Sequence, residues 1–152
     1  MDERLIHGQV VIGWGHHLRP ERYLVVDDQL AESEWEQELY VLGAGEARVV
    51  FADVELARER LAEWKDDPVR SILLTRDIRT MRRLSHDGRL DGARIALGGL
   101  HHGPGRVEVL PYLHLAPEDR DDLQLMADDG VDVIARDLPD APKVGLAAIL
   151  GR

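Results

Sequence analysis

The sequence has no cysteine in 152 residues. Structural disulfides, thiolate catalysis and a cysteine-type zinc centre are therefore excluded. No apolar run approaches the roughly 20 residues of a membrane-spanning helix. The start is charged at Asp2, Glu3 and Arg4 and does not read as a secretory signal. Basic charge is scarce: Lys and Arg total 19 against 29 Asp and Glu, a formal charge of −10. That balance argues against general binding to nucleic acid or anionic membranes, though not against a protein partner with a basic face. Low-complexity tracts and internal repeats are absent. Gly13-x-Gly15 lacks the third glycine and the preceding strand of a dinucleotide fingerprint, and there is no P-loop, Gly-x-Ser-x-Gly or kinase motif. What remains fits a cytosolic protein of one domain, residues 1–152, long enough to bury a core unaided.

Short β-rich runs alternate with helical periodicity. Gly8 to Leu18 reads as a helix, with Val10, Trp14 and Leu18 on one face. Strands are expected at Arg22–Val26, Arg48–Phe51, Ser71–Thr75, Ala93–Leu97 and Val131–Ala135. Helices are expected at Glu32–Leu42, with Trp35 and Leu39 on one side and Ser33 or Asp28 as cap, and at Val54–Trp64. A basic helix capped by Asp77 runs through Met81 and Leu84, and another opens at Pro117 and ends at Gly130. Extended runs flank Pro111, and a short helix covers Val144–Leu150. This order predicts an α/β fold: a mostly parallel, doubly wound open sheet with helices on both faces. Sites in such sheets lie beyond the carboxyl ends of the strands.

Chemistry concentrates in the first ten residues. His7 sits three residues after Arg4, immediately before the first helix. Arg4 suits bidentate pairing with phosphate oxygens. The N–H groups of Gly8, Gln9 and Val10 precede any intrahelical acceptor and can hold an anion. Gly8 lets a partner approach closely. Asp2 can hydrogen-bond one ring nitrogen of His7 and leave the other as nucleophile. A neutral imidazole makes a labile phosphoramidate, which suits relay rather than storage. Taken alone, a histidine in this place is more often a helix cap or a packed surface residue.

Asp2-x-Arg4-x-x-His7-Gly8-Gln9-Val10 resembles the active-site loop of the IIB component of the mannose/fructose/sorbose family of the bacterial sugar phosphotransferase system (PTS). Tyr23–Asp28, Ile95–His101 and Gly130–Val133 with Pro139 are similar to further segments of that family, so the likeness spans nearly the whole chain. It implies a phosphohistidine carrier: His7 takes a phosphoryl group from a phosphorylated IIA protein, on Nδ1, and passes it to a sugar held by the membrane components IIC and IID. Arg4 is then the neutralising cation. Gly8, Gln9, Thr75, Gly98 and Gly99 border the phosphoryl group, Thr75 through its hydroxyl and the paired glycines through close backbone approach. No cofactor or metal is implied. Sugar specificity is expected chiefly in the membrane components, the family is often dimeric, which leaves a homodimer open, and the protein is cytoplasmic, reaching the membrane through IIC and IID.

Two other readings stand beside this one. The same phosphohistidine can serve a regulatory phosphocarrier without sugar transport, and the chain can be a non-catalytic small-molecule-binding α/β module. Other polar groups carry bland expectations. His16 and His17 belong to a solvated or interface face, Asp27-Asp28 to a cap and strand end, and His101-His102 to a turn rather than a metal site. Arg76, Arg79, Arg82 and Arg83 form a basic patch, by default a solvated helix face, that suits an acidic partner. Family members place an apolar strand directly before the histidine loop. The expectation is a sheet lacking its usual first strand, with exposed edges, unless an upstream start, another segment or another chain fills the gap.

Overall fold

The computed structural model describes all residues, Met1–Arg152. A π-helical segment, Gln9–Trp14, runs into α1 (Gly15–Leu18). Then follow β1 (Arg22–Val26), α2 (Glu34–Gly43), β2 (Arg48–Ala52), α3 (Val54–Asp66), β3 (Ser71–Thr75) and α4 (Ile78–Ser85). The second half holds β4 (Arg94–Leu97), β5 (Val107–Leu110), β6 (Leu113–Leu115), α5 (Pro117–Asp128), β7 (Asp132–Ala135), β8 (Val144–Gly145) and α6 (Leu146–Ile149).

The parallel α/β architecture is as expected, but the sheet is divided. One three-stranded sheet has the order β2-β1-β3, the other β4-β7-β8, and β5-β6 is a separate antiparallel hairpin. Every pair in the first sheet is parallel, as is β4 with β7; β8 closes the second sheet antiparallel. β3 and β4 face each other across a gap bridged by Met1, Asp2 and Glu3. Met1 N donates to Ala96 O (2.7 Å), Asp2 N to Thr75 O (3.2 Å), Glu3 N to Gly99 O (3.0 Å), and Gly98 N to Met1 O (2.8 Å). Between β3 and β4, where a central strand would lie, the chain places only residues 1–3, at the carboxyl end of the gap.

Burial on both faces of β1 explains its uninterrupted apolar run. Leu24 and Val26 join the main core with Ala57, Leu61 and Trp64 of α3 and Leu123 and Met126 of α5. Tyr23 and Val25 face the opposite way, against Leu5, Ile6 and Val10 of the histidine loop and its helix. Asp53 and Asp77 cap α3 and α4 through the amides of Leu56 and Thr80. At Gly130 (φ +88°) a Cβ would lie 2.0 Å from Asp91 Oδ1, so only glycine lets the chain enter β7.

Helix α2 departs from expectation. Trp35 and Leu39 do share a side, but it is the outer one, continued by Leu42, and none of the three is buried. Ser33 makes no capping bond; its hydroxyl donates to Glu36 Oε1, and Asp28 accepts from Val54 N instead.

Candidate active site

Leu5 is the local origin of the site. It is fully buried yet left-handed, with φ 56°. A bulky residue adopts that conformation only when its surroundings hold it there, and such strain gathers at functional loops. Leu5 pairs its N–H with Asp2 O at 3.0 Å, closing a tight turn that returns the chain towards Asp2. His7 emerges from this turn with its ring mostly covered. Its Nδ1 lies 2.8 Å from Leu5 O. A carbonyl only accepts, so in this arrangement Nδ1 carries the proton. Nε2 is buried without a hydrogen-bond partner, 3.7 Å from Asp2 Oδ2.

Asp2 is 3% exposed and is the hub of the loop. Its Oδ1 accepts from Arg4 N (3.0 Å) and Nε (3.1 Å), and its Oδ2 from Arg4 Nη2 (3.0 Å). This fork holds the Arg4 guanidinium even more firmly charged than usual, against the cost of partial burial. Arg4 Nη2 also donates to Gln9 Oε1 at 2.7 Å, while Gln9 Nε2 and Trp14 Nε1 both donate to Asp137 O at 2.9 Å. Arg4 Nη1 makes no hydrogen bond. The N–H groups of Gly8, Gln9 and Val10 likewise donate to no protein acceptor, and the first bond of the helix runs from Val11 N to His7 O (2.9 Å). Open space surrounds the Gly8 Cα.

The structure thus brings Asp2, Arg4, His7, Gly8 and Gln9 together, with three differences from expectation. Asp2 faces Nε2 across a distance too long for a good hydrogen bond, and its main partner is Arg4. The Gln9 side chain is committed at both ends and braces Arg4, so only its backbone N–H is free for an anion. Thr75 is fully buried and its hydroxyl donates to Asp77 O (3.2 Å), so it does not face a phosphoryl group; its carbonyl instead holds Asp2. The burial of a strand end between two sheets decided that, and nothing local in Ser71–Thr75 announces it.

The glycines act on Asp2 and Arg4 rather than on open space. A Cβ at Gly99 would lie 2.8 Å from Asp2 Oδ2 and 3.1 Å from Arg4 Nη2, so only a bare backbone fits. Gly98 has ordinary room, 3.5 Å to the nearest atoms.

Sequence reasoning missed Glu3. It accepts from His101 N (3.0 Å), from Arg106 Nη1 (3.2 Å) and from His101 Nδ1. Burial alone would raise its pKa, but the His101 and Arg106 hydrogen bonds outweigh burial and hold Glu3 below the usual carboxylate range. Glu3 thereby clasps the glycine segment 98–106 onto the histidine loop. Arg106 lies 103 positions away, and only the sheet order could have revealed the contact.

The basic patch is mostly neutralised within the molecule. Arg76 pairs with Asp27 (3.1 Å), Arg83 with Asp28 (2.6 Å) and Arg82 with Asp129 (2.8 Å). Of the four arginines only Arg79 makes no ion pair within the molecule. Asp27 also caps the turn at Leu30 N (2.8 Å), so the acidic pair is structural. His102 packs edge-on against His114 at 6.0 Å between ring centres, and His16 and His17 are exposed.

Comparison with known proteins identifies the family. The family model for the sorbose subfamily IIB component of the PTS matches residues 1–152. A curated relative, the N-acetylgalactosamine-specific phosphotransferase enzyme IIB component 1 of Escherichia coli (strain K12), is 26% identical over 140 residues, covering 91% of this chain and 88% of its own length. The manxB structure from Thermoanaerobacter tengcongensis aligns with a TM-score of 0.84 at 29% identity, over 100% of this chain and 92% of that one. The IIB domain of the sorbose permease from Klebsiella pneumoniae shares the fold, with a TM-score of 0.88 at 21% identity, over 99% and 93%. Matched by that family model over its full length, the chain belongs to the sorbose subfamily of PTS IIB components.

Proposed function

We propose that His7 is the residue on which this protein carries the phosphoryl group. As a PTS IIB component, the chain is a phosphotransferase that accepts a phosphoryl group from a IIA protein and passes it to a sugar. The observation that carries the assignment is the convergence on His7 of the Asp2–Arg4 fork and three unpaired N–H groups, those of Gly8, Gln9 and Val10.

The chemistry follows from these atoms. Transfer to Nδ1 requires the ring to release Leu5 O. The Asp2 carboxylate beside Nε2 then favours the tautomer with its proton on Nε2, which leaves the lone pair on Nδ1. That lone pair attacks phosphorus in line, the N–P bond to the donor histidine of IIA breaks as the new N–P bond forms, and the donor imidazole leaves. Arg4, through its free Nη1, and the helix N–H groups neutralise the incoming oxygens. In the second transfer a sugar hydroxyl attacks the same phosphorus, the N–P bond breaks, and the hydroxyl proton is lost to a base. The sugar is presented by the IIC and IID components. No helix here is long and apolar enough to cross a membrane.

His7→Ala should take up no phosphoryl group from phosphorylated IIA while keeping the wild-type circular dichroism spectrum and melting curve. Stoichiometric uptake by the variant would overturn the assignment.

A further inference from the structure

Helix α2 wears its chemistry inside out. The side turned to the molecule rests on half-buried Tyr40 and on Gln37, whose Nε2 donates to Leu30 O (2.8 Å) and Ala31 O (3.2 Å), and no residue of the helix is fully buried. The opposite side carries Trp35, Leu39 and Leu42, at the i, i+4, i+7 spacing that sets side chains in one row. They are 68%, 60% and 81% exposed. Single exposed apolar side chains are ordinary, whereas a contiguous row marks a surface that another molecule covers.

The rim of this row is acidic on both sides. Successive residues of an α-helix are about 100° apart, which sets Glu34 and Glu38 along one side of the row and Glu36 along the other, with Glu32 just before the helix. No Lys or Arg occurs between Arg22 and Arg48. None of these four glutamates enters an ion pair; Glu36 has only the Ser33 hydroxyl. That rim decides among occupants. A second copy meeting the row about a two-fold axis would set glutamate against glutamate. Nor does the basic patch of another copy fit, because Arg76, Arg82 and Arg83 are already in ion pairs. An anionic lipid surface would be repelled. What fits is a protein surface with an apolar centre and a rim of Lys and Arg. The cytoplasmic segments of membrane proteins have that charge, since the short loops kept inside are enriched in Lys and Arg. The position of the row agrees. Gly43, next to Leu42, packs on Ile6, the residue before His7, where a Cβ would lie 3.7 Å from Ile6 Cγ2.

We propose that the Trp35–Leu39–Leu42 row is the docking surface for the basic cytoplasmic face of the membrane component that presents the sugar. Apolar side chains of that partner cover the row, and its Lys and Arg meet Glu34, Glu36 and Glu38 at the rim. Trp35 is the anchor, because a large aromatic at the centre of a desolvated contact carries most of its energy. The glutamates supply attraction at a distance and reject acidic partners. The partner's identity rests on the reading that IIC and IID present the sugar; the surface itself does not rest on the His7 assignment.

The test uses the full chain and the IIC and IID proteins of its system in phosphatidylcholine nanodiscs, beside empty discs of phosphatidylcholine and of phosphatidylglycerol. The wild type and His7→Ala should bind the IIC–IID discs with equal affinity and neither empty disc. Trp35→Ala and Leu39→Lys should each weaken binding about 10-fold or more. The double change Glu34→Lys, Glu38→Lys should weaken it as well, and wild-type binding should weaken with added salt. Val107→Ser, at an exposed apolar residue of β5, should leave the affinity unchanged. All of these variants except His7→Ala should melt as the wild type does and take up phosphoryl groups from phosphorylated IIA at its rate, while the row variants phosphorylate sugar more slowly at low protein concentration. Unchanged affinity in the row variants, with sugar still phosphorylated by the wild type, would overturn the docking surface and leave the transport reading standing. No binding and no sugar phosphorylation by the wild type would overturn both. Binding to empty phosphatidylglycerol discs would assign the row to lipid, slower uptake from IIA in Leu39→Lys would assign it to IIA, and a dimer that Leu39→Lys dissociates in sedimentation would assign it to a second copy; each overturns the proposal.

Discussion

Replacing Gly99 with alanine probes the tightest contact of the histidine loop. The added Cβ would lie 2.8 Å from Asp2 Oδ2, 3.1 Å from Arg4 Nη2 and 3.2 Å from Asp2 Cγ. The first distance is shorter than real Cβ contacts allow, and the atoms it meets are not free to move. Asp2 is 3% exposed, and Arg4 holds both of its oxygens. The backbone is tied down as well, since Gly99 O accepts from Glu3 N at 3.0 Å. Overpacking of this kind costs about 1–3 kcal/mol. The loss of glycine's freedom in the unfolded chain returns roughly 0.4–1 kcal/mol. A net loss of about 1–2 kcal/mol should lower Tm by roughly 2–8 °C at this chain length. Gly98 is the control. Its Cβ would meet only ordinary contacts at 3.5 Å or more, and its φ is not in the left-handed region. Gly98→Ala should therefore be neutral or stabilising by up to about 1 kcal/mol. The rates should separate further: a carboxylate displaced beside the nucleophile should slow phosphoryl uptake about 10-fold or more in Gly99→Ala. Single-turnover transfer from phosphorylated IIA and a thermal melt measure both. If the two variants shift Tm in the same direction, or transfer at equal rates, the tight packing of Gly99 on the Asp2–Arg4 fork is wrong.

Arg4→Lys should slow transfer by roughly 10-fold or more while changing Tm little, because an ammonium cannot span both Asp2 oxygens and still meet Gln9 and a phosphoryl oxygen; wild-type single-turnover rates would remove Arg4 from the site. Glu3 has a folded pKa below its unfolded value. Its stabilising contribution is therefore present above about pH 4.5 and is lost as pH falls through the lower folded value. Hydrogen exchange in segment 98–106 should accelerate over that acidic window in the wild type and be fast at neutral pH in Glu3→Gln. An unchanged rate in the variant would mean that the clasp does not hold the segment.

Much of this molecule can be read from residue order, and the parts that cannot share a cause. The strand at Arg22–Val26 and the Asp77 cap depend on neighbours within a few positions and lie where expected, while the helix after His7 lies where expected but winds as a π-helix over Gln9–Trp14. Side-chain partners at the site depend on which strand ends meet. Nothing near Gln9 says that its amide will be held by Asp137 O, and nothing near Glu3 points to Arg106. Trp35 and Leu39 carry the same periodicity as a buried face and lie outside, because periodicity fixes which residues share a side and not what that side meets. Arg76 and the arginines of α4 form a patch in sequence; acids at positions 27, 28 and 129 draw three of them into ion pairs in space.

The widened helix after His7 has a consequence for how this protein can change. Over Gln9–Trp14 the chain winds as a π-helix before tightening at Gly15. Such a segment holds more residues per turn than an α-helix. Removing one residue there would let the helix wind regularly without turning its ends, because six residues of π-helix rotate about as far as five of α-helix. His7 at one end and the bond from Trp14 to Asp137 O at the other would keep their mutual orientation. An added residue has no such wider turn to enter and would rotate the end that carries His7 by about 100°. The segment thus has slack in one direction only: for a phosphotransferase that depends on the aim of His7, lengthening this helix is the change it cannot absorb.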